Sequence, residues 1–328
     1  RDKILTGMGA TADHFLRTYL STQMILSNIP TLPLVLDKDH RKKWDFYRNP
    51  EFLANAKSFF IKPKTEEPVI RAAEPMVLDI ADAIFEDIIF PSAYTPINPA
   101  YQGVGAYGKE QPPSIARMIR HKENSYERPN VIVVHGYVLD EYMFNAHLLE
   151  VSRFYRLGFN VLLYTMPYHG PRRESNARFS GDGFMVFDAG HIAENVRWSI
   201  HDLTRYIDYL ESVSKYPIGM LGVSLGGFHT ALMASLDKRL SFAIPFVPVV
   251  TLFDVILDWQ PSAAVIQTVL PLLGINGESI NETLAAISPL SRPSLVPQDH
   301  LFIIAGTADR MAHPRHAQSL WRHWGEPR

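Results

Sequence analysis

Hydrophobic positions recur at helical spacing near the start of the chain. Leu16, Leu20 and Met24 follow one another at i, i+4, flanked by Phe15, Tyr19 and Ile25, and Pro30 and Pro33 close the run. The pattern predicts an amphipathic helix over residues 9–29. A second helix is predicted over residues 50–60, where Phe52, Ala56, Phe59 and Phe60 share one side, and a short third over 77–85. The polar, proline-bearing stretch 62–68 (KPKTEEP) between them reads as a linker or loop. Residues 1–84 thus form a helical N-terminal extension. Its apolar face is expected to pack on the main domain, with peripheral membrane contact through residues 9–29 as the alternative.

From residue 85 the pattern changes. Residues 87–94 and Ser114–His121 read as extended. The run VIVV at 131–134 is apolar throughout, as expected of a strand covered on both faces. A helix over 142–157 and a strand over Asn160–Tyr164 follow. Val196, Ile200, Leu203, Ile207 and Leu210 recur at spacings of 4, 3, 4 and 3, which predicts a helix over 192–213. Next come a strand at Ile218–Val223, a helix at 228–236, a strand at Leu240–Phe246, a strand at 301–305 and a helix at 314–324. Such alternation predicts an α/β fold over residues 85–328, with a doubly wound, mostly parallel sheet. Residues 251–287 read as a lid-like insertion at the carboxyl end of a strand, where open α/β sheets bind ligands. The insertion is apolar over 252–273, which fits an acyl pocket and extra core packing equally.

One segment carries chemistry. Gly222-Val223-Ser224-Leu225-Gly226 fits G-x-S-x-G, follows an apolar strand and opens a helix. That context is the one a nucleophile elbow requires. Ser224 is the expected nucleophile, on a strained turn at a helix N-terminus that favours developing negative charge. Gly222 and Gly226 are expected where side chains would meet neighbouring backbone. A tetrahedral oxyanion needs two donors. The Leu225 N–H is one; the Tyr137 N–H, after the strand at 131–134 and Gly136, is the natural second. His135 is read as a structural histidine.

Asp309 follows the strand at 301–305 and comes after Ser224 in chain order, so it is the expected acid; Asp254 is the runner-up. The general base should be a histidine after one more strand. His313, His316 and His323 come too early to swing back over Ser224, so the base is expected beyond residue 328; that one of these three serves is the rival reading. His169, Arg172 and Arg173 follow the strand ending at Tyr164. They are read as a rim meeting an anionic group, against a solvated basic loop or an ion pair to the helix at 192–213.

Composition narrows the rest. Of 328 residues, 46 % are apolar and 20 % charged, ample for a globular core. A net charge of −2 without a basic run gives no electrostatic case for nucleic acid. The absence of cysteine excludes disulfides, thiolate metal sites and a cysteine nucleophile. No apolar run has the length of a membrane span. A cytoplasmic location is expected; the chain begins at Arg1, so a lost N-terminal signal is compatible with it. The G-x-G-x-x-G match at 103–108 lies among prolines and reads as a loop. His313 and His316 lack a ligand partner at zinc spacing, and neither metal nor cofactor is expected. Asn281-Glu282-Thr283 is a glycosylation sequon without a secretion signal to give it meaning.

The segments VIVVHGY at 131–137, MPYHGPRR at 166–173, LGVSLGG at 221–227, ISPL at 287–290 and AGTADR at 305–310 resemble the α/β-hydrolase superfamily. More narrowly they resemble the group of α/β-hydrolase domain-containing protein 18 and its bacterial relatives. The resemblance covers about two thirds of the chain. It implies Ser224 as nucleophile, Asp309 as acid, Tyr137 near the oxyanion hole, a histidine in a strand and loop downstream of Gly325, and a lipid-like or other acyl ester as substrate. An acyltransferase with a non-water acceptor and a non-catalytic binding protein on the same fold are the alternatives.

Overall fold

The computed structural model describes residues 2–29, 36–64, 66–103, 105–108, 111–139 and 141–327, without the side chains of residues 2–13, 27, 40 and 105. Seven strands make one sheet: β1 (Val69–Ala72), β2 (Ala83–Phe90), β3 (Ser114–His121), β4 (Asn130–Val134), β5 (Asn160–Tyr164), β6 (Ile218–Val223) and β7 (Leu240–Phe246). Their order across the sheet is β1-β2-β3-β5-β4-β6-β7. The β1–β2, β2–β3 and β3–β5 pairs are antiparallel, and β4–β5, β4–β6 and β6–β7 are parallel. The sheet is therefore mixed. Strands β4, β5 and β6 are buried at every residue, which explains their unbroken apolar runs.

The N-terminal region departs from expectation in two places. The helix expected over 77–85 is absent: Ala83–Phe90 is β2, and Phe85, Ile88 and Phe90 are its buried residues. Strand β1 also lies inside the region read as a helical extension, with all four residues exposed. The sheet thus begins before residue 85. Helix α1 (Asp2–Asn28) is present where a helix was expected. The prolines at 30 and 33 and the side chains of 9–13 lie outside the described residues. The helix expected over 50–60 is two short pieces, Glu51–Ala54 and Ala56–Phe59, broken where the Asn55 side chain caps the second.

Leu20, Met24, Trp44, Tyr47, Phe52 and Phe59 join the same core as the sheet, so the extension is packed on the domain. Buried Glu194 anchors part of this packing. It accepts from Tyr47 Oη at 2.7 Å, from Tyr94 Oη, and from the N–H groups of Ile97 and Asn98, and it pairs with Arg197 at 3.3 Å. These donors satisfy both oxygens of the buried carboxylate.

On the remaining faces lie α2 (Tyr142–Leu148), α3 (Val151–Arg156), α4 (Ala189–Val213) and α5 (Leu225–Ala234). The expected helix over 142–157 is split at Glu150, whose φ is +53°. The insertion holds α6 (Leu252–Asp258), α7 (Ser262–Leu272) and α8 (Gly277–Leu284), and α9 (Pro314–His323) closes the described chain. Residues 301–305 run beside β7 but form only two isolated parallel bridges, Ala243 to Leu301 and Phe246 to Ile304. Phe302 and Ile304 are 47 % and 42 % exposed there, so the segment is only partly covered. Among the described residues no single helix is long and apolar enough to cross a membrane.

Candidate active site

Strand β6 delivers Ser224 into a sharp turn. The serine has φ +53° and ψ −110°, a backbone region that side chains rarely occupy, and it caps α5. Its N–H donates to the Phe246 carbonyl at 2.9 Å, and its own carbonyl accepts from Phe228 at 2.9 Å and Val249 at 3.4 Å. These bonds hold the turn from both sides. A Cβ on Gly222 would strike the Gly226 carbonyl, and one on Gly226 would strike the carbonyls of Val134 and His135. Both glycines are thus required by backbone packing, as the sequence pattern anticipates. Leu225 opens α5, so its N–H has no acceptor within the helix.

The turn after β4 lies against the serine. A Cβ on Gly136 would come within 3.6 Å of Ser224 Cβ and 3.4 Å of the Val223 carbonyl. This brings His135-Gly136-Tyr137 beside the elbow. The Tyr137 ring packs edge-on to His169 and Phe179, and Val138 has φ +60°.

Four imidazoles are buried nearby or in the same core, and each is committed. His135 Nδ1 donates to the Gly136 carbonyl at 2.8 Å and its Nε2 accepts from the Met166 N–H at 3.0 Å, which fixes its tautomer. This is the structural role expected of it. His169 Nδ1 donates to the Pro167 carbonyl and His229 Nδ1 to the Leu225 carbonyl, both at 2.8 Å. His316 Nδ1 accepts from the Val250 N–H at 3.5 Å. Burial holds His169 well below the usual histidine range and pulls His229 and His316 down to about 4. All three are neutral near pH 7, and each has an Nε2 with no partner among the described residues. None of the four is hydrogen-bonded to Ser224.

Asp309 sits just past residues 301–305, where an acid was expected. Its Oδ1 accepts from the N–H groups of Met311 and Ala312 at 2.8 and 2.9 Å. It lines a surface groove with Arg17, Asp258 and His313. His313 is exposed and accepts from the Arg315 N–H, and His323 Nε2 bonds to the Arg292 carbonyl at 2.6 Å. Asp254 lies in the first turn of α6, its carboxyl raised by partial burial.

The rim expectation needs correction. His169 and Arg172 are buried, with Arg173 alone exposed. The Arg172 guanidinium pairs with Asp202 of α4 at 2.8 Å and donates to the Thr165 carbonyl at 2.9 Å. A buried guanidinium committed in this way does not face a solvent-borne anion; the ion pair to the α4 helix is what the structure contains. The G-x-G-x-x-G stretch lies in loop and short 3-10 turns, with Val104 outside the described residues.

Sequence reasoning missed buried His229 and the core residue Phe184, whose ring packs against both His169 and His229. The signal was present but easily overlooked: His229 falls five residues after Ser224 on a helix whose only other polar side chain is Thr230.

No protein-family model matches the chain. It is 31 % identical over 296 residues to the uncharacterized protein Rv2627c of Mycobacterium tuberculosis, an alignment covering 86 % of this chain and 66 % of that protein. The chain thus spans just under two thirds of that relative's length. Among solved structures it is similar to an acetyl xylan esterase from Paenibacillus sp. R4, with 15 % identity, TM-score 0.56, and 89 % and 86 % of the two chains covered. It is similar also to acetyl xylan esterase 1 from Thermoanaerobacterium sp., with 16 % identity, TM-score 0.54, and 85 % and 83 % covered. The mixed sheet and these likenesses define the α/β-hydrolase fold.

Proposed function

We propose that the chain is a serine hydrolase that cleaves an ester through an acyl-enzyme on Ser224. The observation that carries this reading is the Ser224 backbone, at φ +53° and ψ −110° between a buried strand and the start of α5. Backbone held in so sparsely populated a region gathers at functional sites. In the scheme Ser224 Oγ adds to the ester carbonyl as an imidazole base takes its proton. The N–H groups of Leu225 and Tyr137 receive the oxyanion. The alkoxide then leaves with that proton, and water releases the acid and restores the serine. Asp309 is the acid that orients the base. Kinship with the group of α/β-hydrolase domain-containing protein 18, on MPYHGPRR and LGVSLGG, belongs to the same proposal.

The test is the intact mass of the full-length protein after a fluorophosphonate probe, beside Ser224→Ala. A single adduct that is lost in the variant is expected. No adduct on folded protein would instead make the elbow idle and favour a binding role for the fold.

A further inference from the structure

An apolar cavity of about 110 Å³ lies between α1, the insertion helices α6 to α8 and the start of α4. Its described wall carries no ionisable side chain. Only two wall residues have polar side chains, and both are engaged within the protein. Asn28 Nδ2 donates to the Met24 and Met185 carbonyls and its Oδ1 accepts from the Phe187 N–H, while Trp44 Nε1 donates to Asp188. Such a wall offers water no hydrogen bond. A wall of this kind favours apolar guests over water. Ile29 and Val265 line the cavity and are 56 % and 36 % exposed, so it opens to the surface between α1 and α7.

The cavity is tied to the elbow by a short length of chain. Val249 donates to the Ser224 carbonyl, and Phe253, four residues later, is in the cavity wall. Four Cα–Cα steps put the Phe253 Cα within about 15 Å of the Val249 Cα. A long acyl chain is able to reach that far.

We propose that this cavity seats the hydrocarbon tail of a long-chain acyl ester whose carbonyl meets Ser224, with α1 as its outer wall. The proposal rests on the hydrolase reading of Ser224 and gives the N-terminal helix a part in substrate selection. The described wall offers a charge no partner, so the charged end of a ligand lies outside it.

Two measurements test it. Ser224→Ala protein is titrated with cis-parinaric acid and read by fluorescence, so binding is seen without turnover. Saturable binding is expected, weakened at least about ten-fold when Val269→Trp or Ile25→Trp fills the cavity from opposite walls. In parallel, kcat/KM is measured with p-nitrophenyl dodecanoate and acetate. Each Trp variant is expected to lower the dodecanoate value at least about ten-fold more than the acetate value. No saturable binding to Ser224→Ala overturns the proposal, whether or not the Trp variants fold. Binding that neither folded variant alters, or equal losses on both esters, also overturns it. Binding sensitive to both variants, in a protein that takes no fluorophosphonate, overturns the link to Ser224 and with it the hydrolase reading, while the hydrocarbon site itself stands.

Discussion

Arg172 and Asp202 meet at 2.8 Å inside the protein, with side chains 1 % and 2 % exposed. Tyr164 Oη adds a bond to the same carboxylate at 3.3 Å. Burial alone would raise the Asp202 pKa; the Arg172 charge and the neighbouring His201 outweigh it and hold the carboxyl below the usual range. Removing one partner strands a buried charge, so Arg172→Ala should cost about 3–5 kcal/mol in urea unfolding. Arg172→Met with Asp202→Leu should recover most of that. The depressed folded pKa also sets a sign. Stability from the pair is complete above the unfolded aspartate pKa and is lost as pH falls through the folded value, a loss that Asp202→Asn should not show.

The strain at Ser224 is measurable apart from catalysis. Backbone held in such a region costs about 1–3 kcal/mol, of which glycine is relieved at an entropic cost of about 1. Ser224→Gly should therefore melt above Ser224→Ala, by roughly 2 °C for a chain of this size. A Ser224→Gly protein that melts below Ser224→Ala would mean the turn is unstrained.

Gly226 abuts the carbonyls that end β4. Because the obstacle is backbone, it cannot rotate aside, so Gly226→Ala should exceed the usual overpacking cost of about 1–3 kcal/mol. Gly274, at φ +67° with open space around its Cβ direction, is the contrast. Its alanine variant should lose only about 1 kcal/mol, from backbone conformation alone. Denaturant midpoints of the two variants check the difference.

His229 supplies a pH dependence. Burial lowers its pKa to about 4, below the unfolded value near 6.5. The unfolded chain takes up its proton first, so stability is lost as pH falls from about 6.5 towards 4. The slope is about 1.4 kcal/mol per pH unit for one such group. His229→Gln keeps a side-chain donor and does not titrate. The stability gap between wild type and variant should change by that slope across pH 6 to 4.5; a constant gap would contradict a buried neutral imidazole.

Legibility in the sequence followed burial. Strands β4, β5 and β6 are covered on both faces, and their apolar runs announce them. The elbow was legible because Gly222 and Gly226 answer a local backbone constraint that no other residue meets. Strand β1 was not, because its four residues are exposed and hydrogen-bonding alone makes it a strand. The segment 77–85 misled because Ala83 and Phe85 lie at the start of a strand whose partner, β3, is over thirty residues away. The ion pair from Arg172 to the α4 helix was one of two open readings, and its partner lies thirty residues on, within the helix pattern, where the sequence could not single it out.

Ser21 Oγ donates to Ser262 Oγ at 2.8 Å, across 241 residues of chain. At about 5–20 residues per second, a ribosome takes roughly ten to fifty seconds to make the intervening segment. Through that interval α1 has left the ribosome with its apolar side uncovered, because the helix that will cover it does not yet exist. The nascent chain therefore carries Leu20 and Met24 uncovered through that interval, a natural target for a holding chaperone.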